Sequence, residues 1–395
     1  MRVDKSMWVT KPICELFDLQ MGKTPPRGDL DLWDNGEIPW VSISDMNGKK
    51  HISSTKELLP LSTIKQCNIP IVPVGTVIMS FKLTIGKTCI VDCPLTTNEA
   101  IMAFYPKCGI KVDNVFLSYA LAALKWKGNR AVKGVTINKK TISQKQITLP
   151  PYEQQREITA ELDSIQAMID GYREQLADLD ALAQSIFLET FGDPISNPKG
   201  WNLSTFSESL VSLRTGLNPR QNFKLNEDGA SNFYITVREL GGYNIQISST
   251  TDKVCDYALP LINNRSNLEK GDVLFSGTGT IGRTAYVKEQ PKNWNIKEGV
   301  YVLKPKKEFL NSLFLLFLLH SDVVTKFCDE TSKGATIKSV PMKTLRELKF
   351  PLPPLALQQQ FASQVEAIEK QKDLLRQQIA DAETLMAERM QYYFS

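Results

Sequence analysis

The residues best suited to ligate a metal or attack a substrate are two histidines, His51 and His320, and seven cysteines. Cys89 and Cys93 form the closest thiol pair, but neither histidine lies near them in sequence, so the spacing of a zinc site is missing. An odd cysteine count without a framework of even spacings suits free, buried thiols in a reducing cytoplasm. Gly277-Thr278-Gly279-Thr280-Ile281-Gly282 has the GxGxxG pattern after a plausible strand. A dinucleotide site needs a helix next, with its N-terminus under the pyrophosphate, whereas Arg283-Thr284-Ala285-Tyr286-Val287 reads as another strand. A hairpin turn is the expectation. No cluster of nuclease carboxylates and no Walker-type phosphate loop stands out, so the chain is expected to be non-catalytic.

The elements that carry these residues come in duplicate. The second half retraces the first at an offset of roughly 200 residues. Trp8, Glu15 and Gly22 recur as Trp201, Glu208 and Gly216, and WVSISDM from Trp40 recurs as YITVREL from Tyr234. GTVIMSFKLTIGKT from Gly75 recurs as GDVLFSGTGTIGRT from Gly271, and KGVTI from Lys133 as KGATI from Lys333. LPPYEQQREI from Leu149 recurs as LPPLALQQQF from Leu352. Each half opens with short β-type runs broken by Gly, Pro, Asn and Asp, passes through one apolar helix, and ends at a proline pair. The fold class expected is α+β. It comprises two β-rich globular domains (1–151 and 192–354) in pseudo-twofold repeat, separated by helices over 152–191 and 355–395. The repeat is nearly cyclic from Ser395 back to Met1, which implies neighbouring termini and a complete chain.

After the prolines the pattern becomes helical. Leu162, Ile165, Ile169, Tyr172, Leu176 and Leu179 alternate by three and four, as do Val365, Ile368, Lys372, Leu375 and Ile379. Two such stripes bury best against each other, as an antiparallel intramolecular coiled coil. Lys372 and Arg389 break the second stripe, and their stems are expected to snorkel over its edge. Charge follows the same division. The helical segments carry −7 and −2, and the globular segments +8 and +5. Basic bodies joined by acidic rods fit a nucleic-acid footprint on the former. The most apolar run, Leu313–His320, is too short to span a bilayer, and the N-terminus lacks a signal-peptide core. A cytoplasmic location is expected.

Leu149-Pro150-Pro151-Tyr152 resembles the Pro-Pro-Tyr of amino-methyltransferases, but Leu149 stands where those enzymes carry Asn or Asp, so a proline-fixed helix start is the better reading. As a whole, the doubled plan with its long helices opening on LPPxxxQ (LPPxxxQQ in the second half) resembles the specificity subunits of type I restriction–modification enzymes. Gly271–Ser276 with Gly279-Thr280-Ile281-Gly282 is similar to that family's strand–turn segment; the first half departs from it at Lys82-Leu83, so its turn is expected to differ in shape. The resemblance implies that each globular domain reads one half of a split site in double-stranded DNA. It implies that the helices set the spacing and dock two methyltransferase subunits, and that restriction/translocase subunits join them. S-adenosylmethionine, ATP and Mg would belong to those partners and none to this chain. Specific reading needs phosphate contacts and side chains at base edges. Candidates at strand ends are Lys23, Arg27, Lys49, Lys50, Lys82, Lys87 and Lys133, with Arg214, Arg220, Arg238, Thr278, Arg283 and Lys333 in the second half. Base-reading residues should differ between the halves, which singles out Ser44, Lys82, Arg238 and Thr278. The rival readings are a non-catalytic scaffold or adaptor without DNA specificity, and a remnant of a fused restriction–methylation enzyme.

Overall fold

The computed structural model describes residues 4–126, 129–131, 134–332 and 338–395. The chain forms two compact units, Met1–Arg173 with Gln377–Ser395, and Glu174–Arg376. Each unit holds one β-rich domain and a stretch of both long helices, Tyr152–Phe191 and Leu355–Phe394.

In the first unit a five-stranded sheet runs Phe17–Met21, Ile101–Pro106, Val77–Ser80, Thr88–Val91, His51–Ile52, antiparallel except for the last pair. In the second unit a four-stranded antiparallel sheet runs Leu210–Thr215, Val300–Pro305, Val273–Ser276, Thr284–Tyr286. The strand order is that of the repeat. A Cβ on Gly22 would lie 2.1 Å from the Thr97 carbonyl oxygen, and one on Gly216 would lie 1.9 Å from that of Ile296. Only glycine allows this approach, and it occurs at the same place in both halves. A smaller mixed sheet flanks each main one, built on Ile38–Val41 in the first unit and Asn232–Ile235 in the second.

The apolar helix of each half, Asn114–Ala123 or Ser312–Leu319, seals one face of the main sheet. Asp113 caps the first through the Phe116 N–H (2.8 Å), and Asn311 caps the second through that of Leu313 (2.8 Å). The long helices complete these cores. Ile158, Leu162 and Tyr393 pack into the first, and Phe187, Phe191, Phe361 and Val365 into the second. The helix–helix seam of the first unit is carried by Ile165, Ile169 and Ala382, flanked by Ile379 and Met386. In the second unit Ile368 and Leu375 are buried, and Leu176 and Leu179 are half-buried.

Polar pairs fix the antiparallel direction. Glu161 accepts from Tyr393 (2.5 Å) and Arg389 (2.9 Å), and Arg173 meets Glu383 (2.7 Å). In the second unit Lys372 does not snorkel. It is 7% exposed and ion-paired with buried Glu369 (2.5 Å) on its own helix and with exposed Asp180 (2.6 Å) on the facing one, which together hold its ammonium in place. Lys5 lies over the Tyr392 ring, so residues near the two ends of the chain meet.

The thiols are free but not uniformly buried. Cys89 and Cys328 are buried, whereas Cys14 and Cys108 are exposed and the other three half-buried, since most sit on strand ends and loops. Among the described residues no helix is long and apolar enough to cross a membrane, and no group of three His, Cys, Asp or Glu could hold a metal ion.

Candidate nucleic-acid interface

The GxGxxG stretch is the turn of a hairpin between Val273–Ser276 and Thr284–Tyr286. Fully buried Ser276 builds it, with Oγ donating to the Thr280 carbonyl (2.6 Å) and accepting from the Arg283 N–H (2.8 Å). Ser80 does the same in the first half, donating to the Thr84 carbonyl and accepting from the Lys87 N–H (3.2 Å). The two turns share their backbone rather than differing in shape. Gly279 sits at φ +78° and Leu83, its counterpart, at φ +65°. That left-handed conformation is free to glycine but costs a leucine about 1–2 kcal/mol.

Beside each hairpin lies a 3₁₀ turn, Ile43–Met46 or Val237–Glu239, closed by a buried carboxylate. Asp45 accepts from the Ser42 N–H (2.9 Å), the Ser42 hydroxyl (2.5 Å) and the Lys56 N–H (3.2 Å). Burial alone would raise its pKa, but these hydrogen bonds prevail and hold it below the ordinary value. Glu239 accepts from the Thr236 N–H (2.8 Å) and hydroxyl (2.7 Å). On these matched frames stand different residues, Ser44 in one half and Arg238 in the other. The Ser44 hydroxyl meets that of Ser42 (2.8 Å). Arg238 is aimed by Thr236 (Nε to Oγ1, 3.3 Å) and Asp252 (Nη2 to Oδ2, 2.9 Å). Lys87 donates to Asn47, and Arg283 to the Val237 carbonyl (3.4 Å), so each cation ties its hairpin to the neighbouring 3₁₀ turn.

The remaining candidates divide by environment. Arg238 and Thr278 line one cleft of about 540 Å³, together with Lys297 and Asp252, neither of which sequence reasoning found. Lys49, Lys50 and Lys87 line a hollow of about 520 Å³ in the first unit with Arg173 and Asp170. Within it Lys50 pairs with Asp163 (2.6 Å). Arg27 is exposed but already partnered. It grips Glu57 (2.5 and 3.0 Å) and stacks on Trp33 (3.9 Å) and Trp40 (4.7 Å). Lys23 donates to the Cys67 carbonyl (2.5 Å), Lys82 is half-buried beside the Phe81 ring, and Arg214 and Arg220 are exposed. Lys133 and Lys333 lie outside the described residues.

The family model described as "Type I restriction modification DNA specificity domain" matches residues 5–179 and again residues 198–384. The specificity subunit of the type I restriction enzyme MjaIX from Methanocaldococcus jannaschii is 23% identical over 387 residues, covering 91% of this chain and 86% of that protein. The EcoBI specificity subunit of Escherichia coli is 22% identical over 302 residues, covering 69% and 62%. Among solved structures, the S subunit of a type I restriction–modification system from M. genitalium gives a TM-score of 0.55 at 14% identity, over 100% of this chain and 98% of that one. A chain from a structure concerned with complex assembly and conformational transition of the type I R-M system gives 0.59 at 18% identity, over 98% of each. Both structural likenesses speak to the fold alone. With two copies of one family model spanning most of its length, the chain belongs to the type I restriction–modification DNA specificity family.

Proposed function

We propose that this chain is the non-catalytic DNA-reading subunit of a type I restriction–modification complex, each globular domain recognising one half of a two-part site. The observation that carries this is the pair of matched frames with unmatched outward residues. Buried Ser80 and Ser276 build one turn in each half, and buried Asp45 and Glu239 build another. The side chains they present, Ser44 against Arg238 and Lys82-Leu83 against Thr278-Gly279, differ in size, charge and hydrogen-bonding capacity. A common scaffold with variable tips suits the reading of two different short sequences. The long helices serve as spacer and as docking surface for two methyltransferase subunits, which bring S-adenosylmethionine, while restriction subunits supply ATP- and Mg-dependent steps.

The test is to express the chain with type I methyltransferase subunits from the same genome in a methylation-free host and map methylated adenines. A two-part motif present only with this chain is expected. Methylation that ignores the chain, or no motif at all, would overturn the reading. The scaffold alternative predicts that the assembled complex binds all duplexes alike at a given salt concentration, whereas a DNA reader holds its own site more tightly than unrelated DNA.

A further inference from the structure

Among the described residues, the non-glycine positions in the left-handed region are five asparagines, Arg220 and Leu83. Asparagine tolerates that conformation through its short polar side chain; leucine does not. The Leu83 backbone pairs with that of Val135 in the strand Gly134–Thr136, but its side chain is 57% exposed, so side-chain burial offsets little of that strain. The same backbone in the other half is occupied by Gly279, with no strain. For folding alone, glycine is the better residue at both places. A strained residue kept with its side chain turned to solvent points to a role outside the fold.

We propose that Leu83 is a base-reading residue of the first domain, making apolar contact with the 5-methyl group of a thymine. This rests on the DNA-reading function proposed above. Leucine offers no hydrogen bond, and the apolar group a base pair presents in the major groove is the thymine methyl. Lys82, immediately before it, places a cation within reach of the backbone phosphates. Gly279 has no side chain to make this contact, so the two half-sites differ here in what they can demand.

The experiment uses the complex with its methyltransferase subunits and a duplex bearing the mapped site. Each thymine is replaced in turn by uracil, which deletes only the methyl. At one thymine the wild-type complex should lose about fourfold in affinity, the worth of roughly one buried methyl group. Leu83→Gly should show a similar loss on the unmodified duplex and no further loss with uracil. Leu83→Met should keep the wild-type response. The Tm of Leu83→Gly should hold or rise, since glycine relieves the strain. A clear fall in Tm would mean that Leu83 packs structurally, and would overturn the assignment. So would a wild type indifferent to uracil at every thymine, or a glycine variant as sensitive as wild type. Either result leaves DNA reading intact. Failure to find any two-part site refutes the function itself, and this assignment with it.

Discussion

Gln155 and Gln358 perform the same task at the same place in the two halves. The Gln155 amide donates to the Pro150 carbonyl (2.8 Å), and its oxygen accepts from the Asp113 N–H (2.9 Å). Gln358 donates to the carbonyls of Pro353 (2.7 Å) and Phe309 (2.9 Å) and accepts from the Asn311 N–H (2.8 Å). Both side chains are buried, 1% and 0% exposed. Asp113 and Asn311 cap the apolar helix of their domain. Each glutamine thereby locks the first turn of a long helix to the helix that seals the β-rich core, which is a physical reason for the glutamine of the shared LPPxxxQ.

Replacing Gln155 by Leu should therefore destabilise the first unit by about 2–5 kcal/mol. A carbonyl and an N–H are left buried without partners, at roughly 1–3 kcal/mol each. Gln358→Leu should do the same to the second. Urea denaturation of each variant measures this, and a loss under 1 kcal/mol would mean that water replaces the side chain.

Lys372 stands at the position equivalent to Ile169, and Glu369 at that of Gln166. The Lys372–Glu369 pair is buried, and Glu369 Oε2 has no hydrogen-bond partner. Lys372→Ile alone should cost about 2–4 kcal/mol, because the buried Glu369 carboxylate loses its nearer counter-charge and keeps only Arg376 at 3.7 Å. Lys372→Ile combined with Glu369→Gln transplants the first-half pair and should recover most of that loss. If the double variant is as unstable as the single one, the charge pair is not what stabilises this stretch.

The repeat, the two long helices and the hairpin were legible because they depend on spacing, which the chain displays directly. Ile165 and Ile169 meet Ala382 across the seam, as three-four periodicity requires. Partners far apart in sequence were not legible. Lys372 looked like a break in the stripe because Asp180 sits on the other helix. The partners of Arg27, the Glu57 carboxylate and two tryptophan rings, likewise appear only in the folded domain. Leu83 misled in a different way. Its residue type argues against the backbone conformation that it adopts.

Asp272, 2% exposed, offers a pH test. Burial pushes its carboxyl up to about 6, although the Glu269 N–H and Lys304 pull it down. The folded chain thus binds a proton at pH values where the unfolded chain has released it, so this group's contribution to stability falls as pH rises. The loss begins near the unfolded value of about 4 and is complete above about 6, reaching roughly 2–3 kcal/mol. Asp272→Asn keeps an oxygen to accept from the Glu269 N–H (2.8 Å) and removes the charge. Relative to wild type, it should be about equal at pH 4 and about 1–3 kcal/mol more stable at pH 7. Denaturation curves across that range decide it, and a difference independent of pH would exclude Asp272 as its origin.

Lys87 and Arg283 allow the proposed phosphate contacts to be separated from structural ones. Each ties a hairpin to a 3₁₀ turn, Lys87 through Asn47 and Arg283 through the Val237 carbonyl. Either residue could therefore be present only to hold those turns together. Lys87→Gln and Arg283→Gln keep a donor for these bonds and delete the charge. If both cations neutralise phosphates, the double variant of the assembled complex should release about two fewer counterions. The slope of log affinity against log salt should then become shallower by roughly 1.8. Binding should weaken by similar factors on specific and unrelated duplexes, because phosphate contacts carry no sequence information. Glu289→Gln, which alters an exposed charge on the same domain, is the control and should leave the slope nearly unchanged. A folded double variant with the wild-type slope would make both cations structural, and the phosphate contacts would then have to be sought at Lys49 and Lys50 in the first domain and Lys297 in the second.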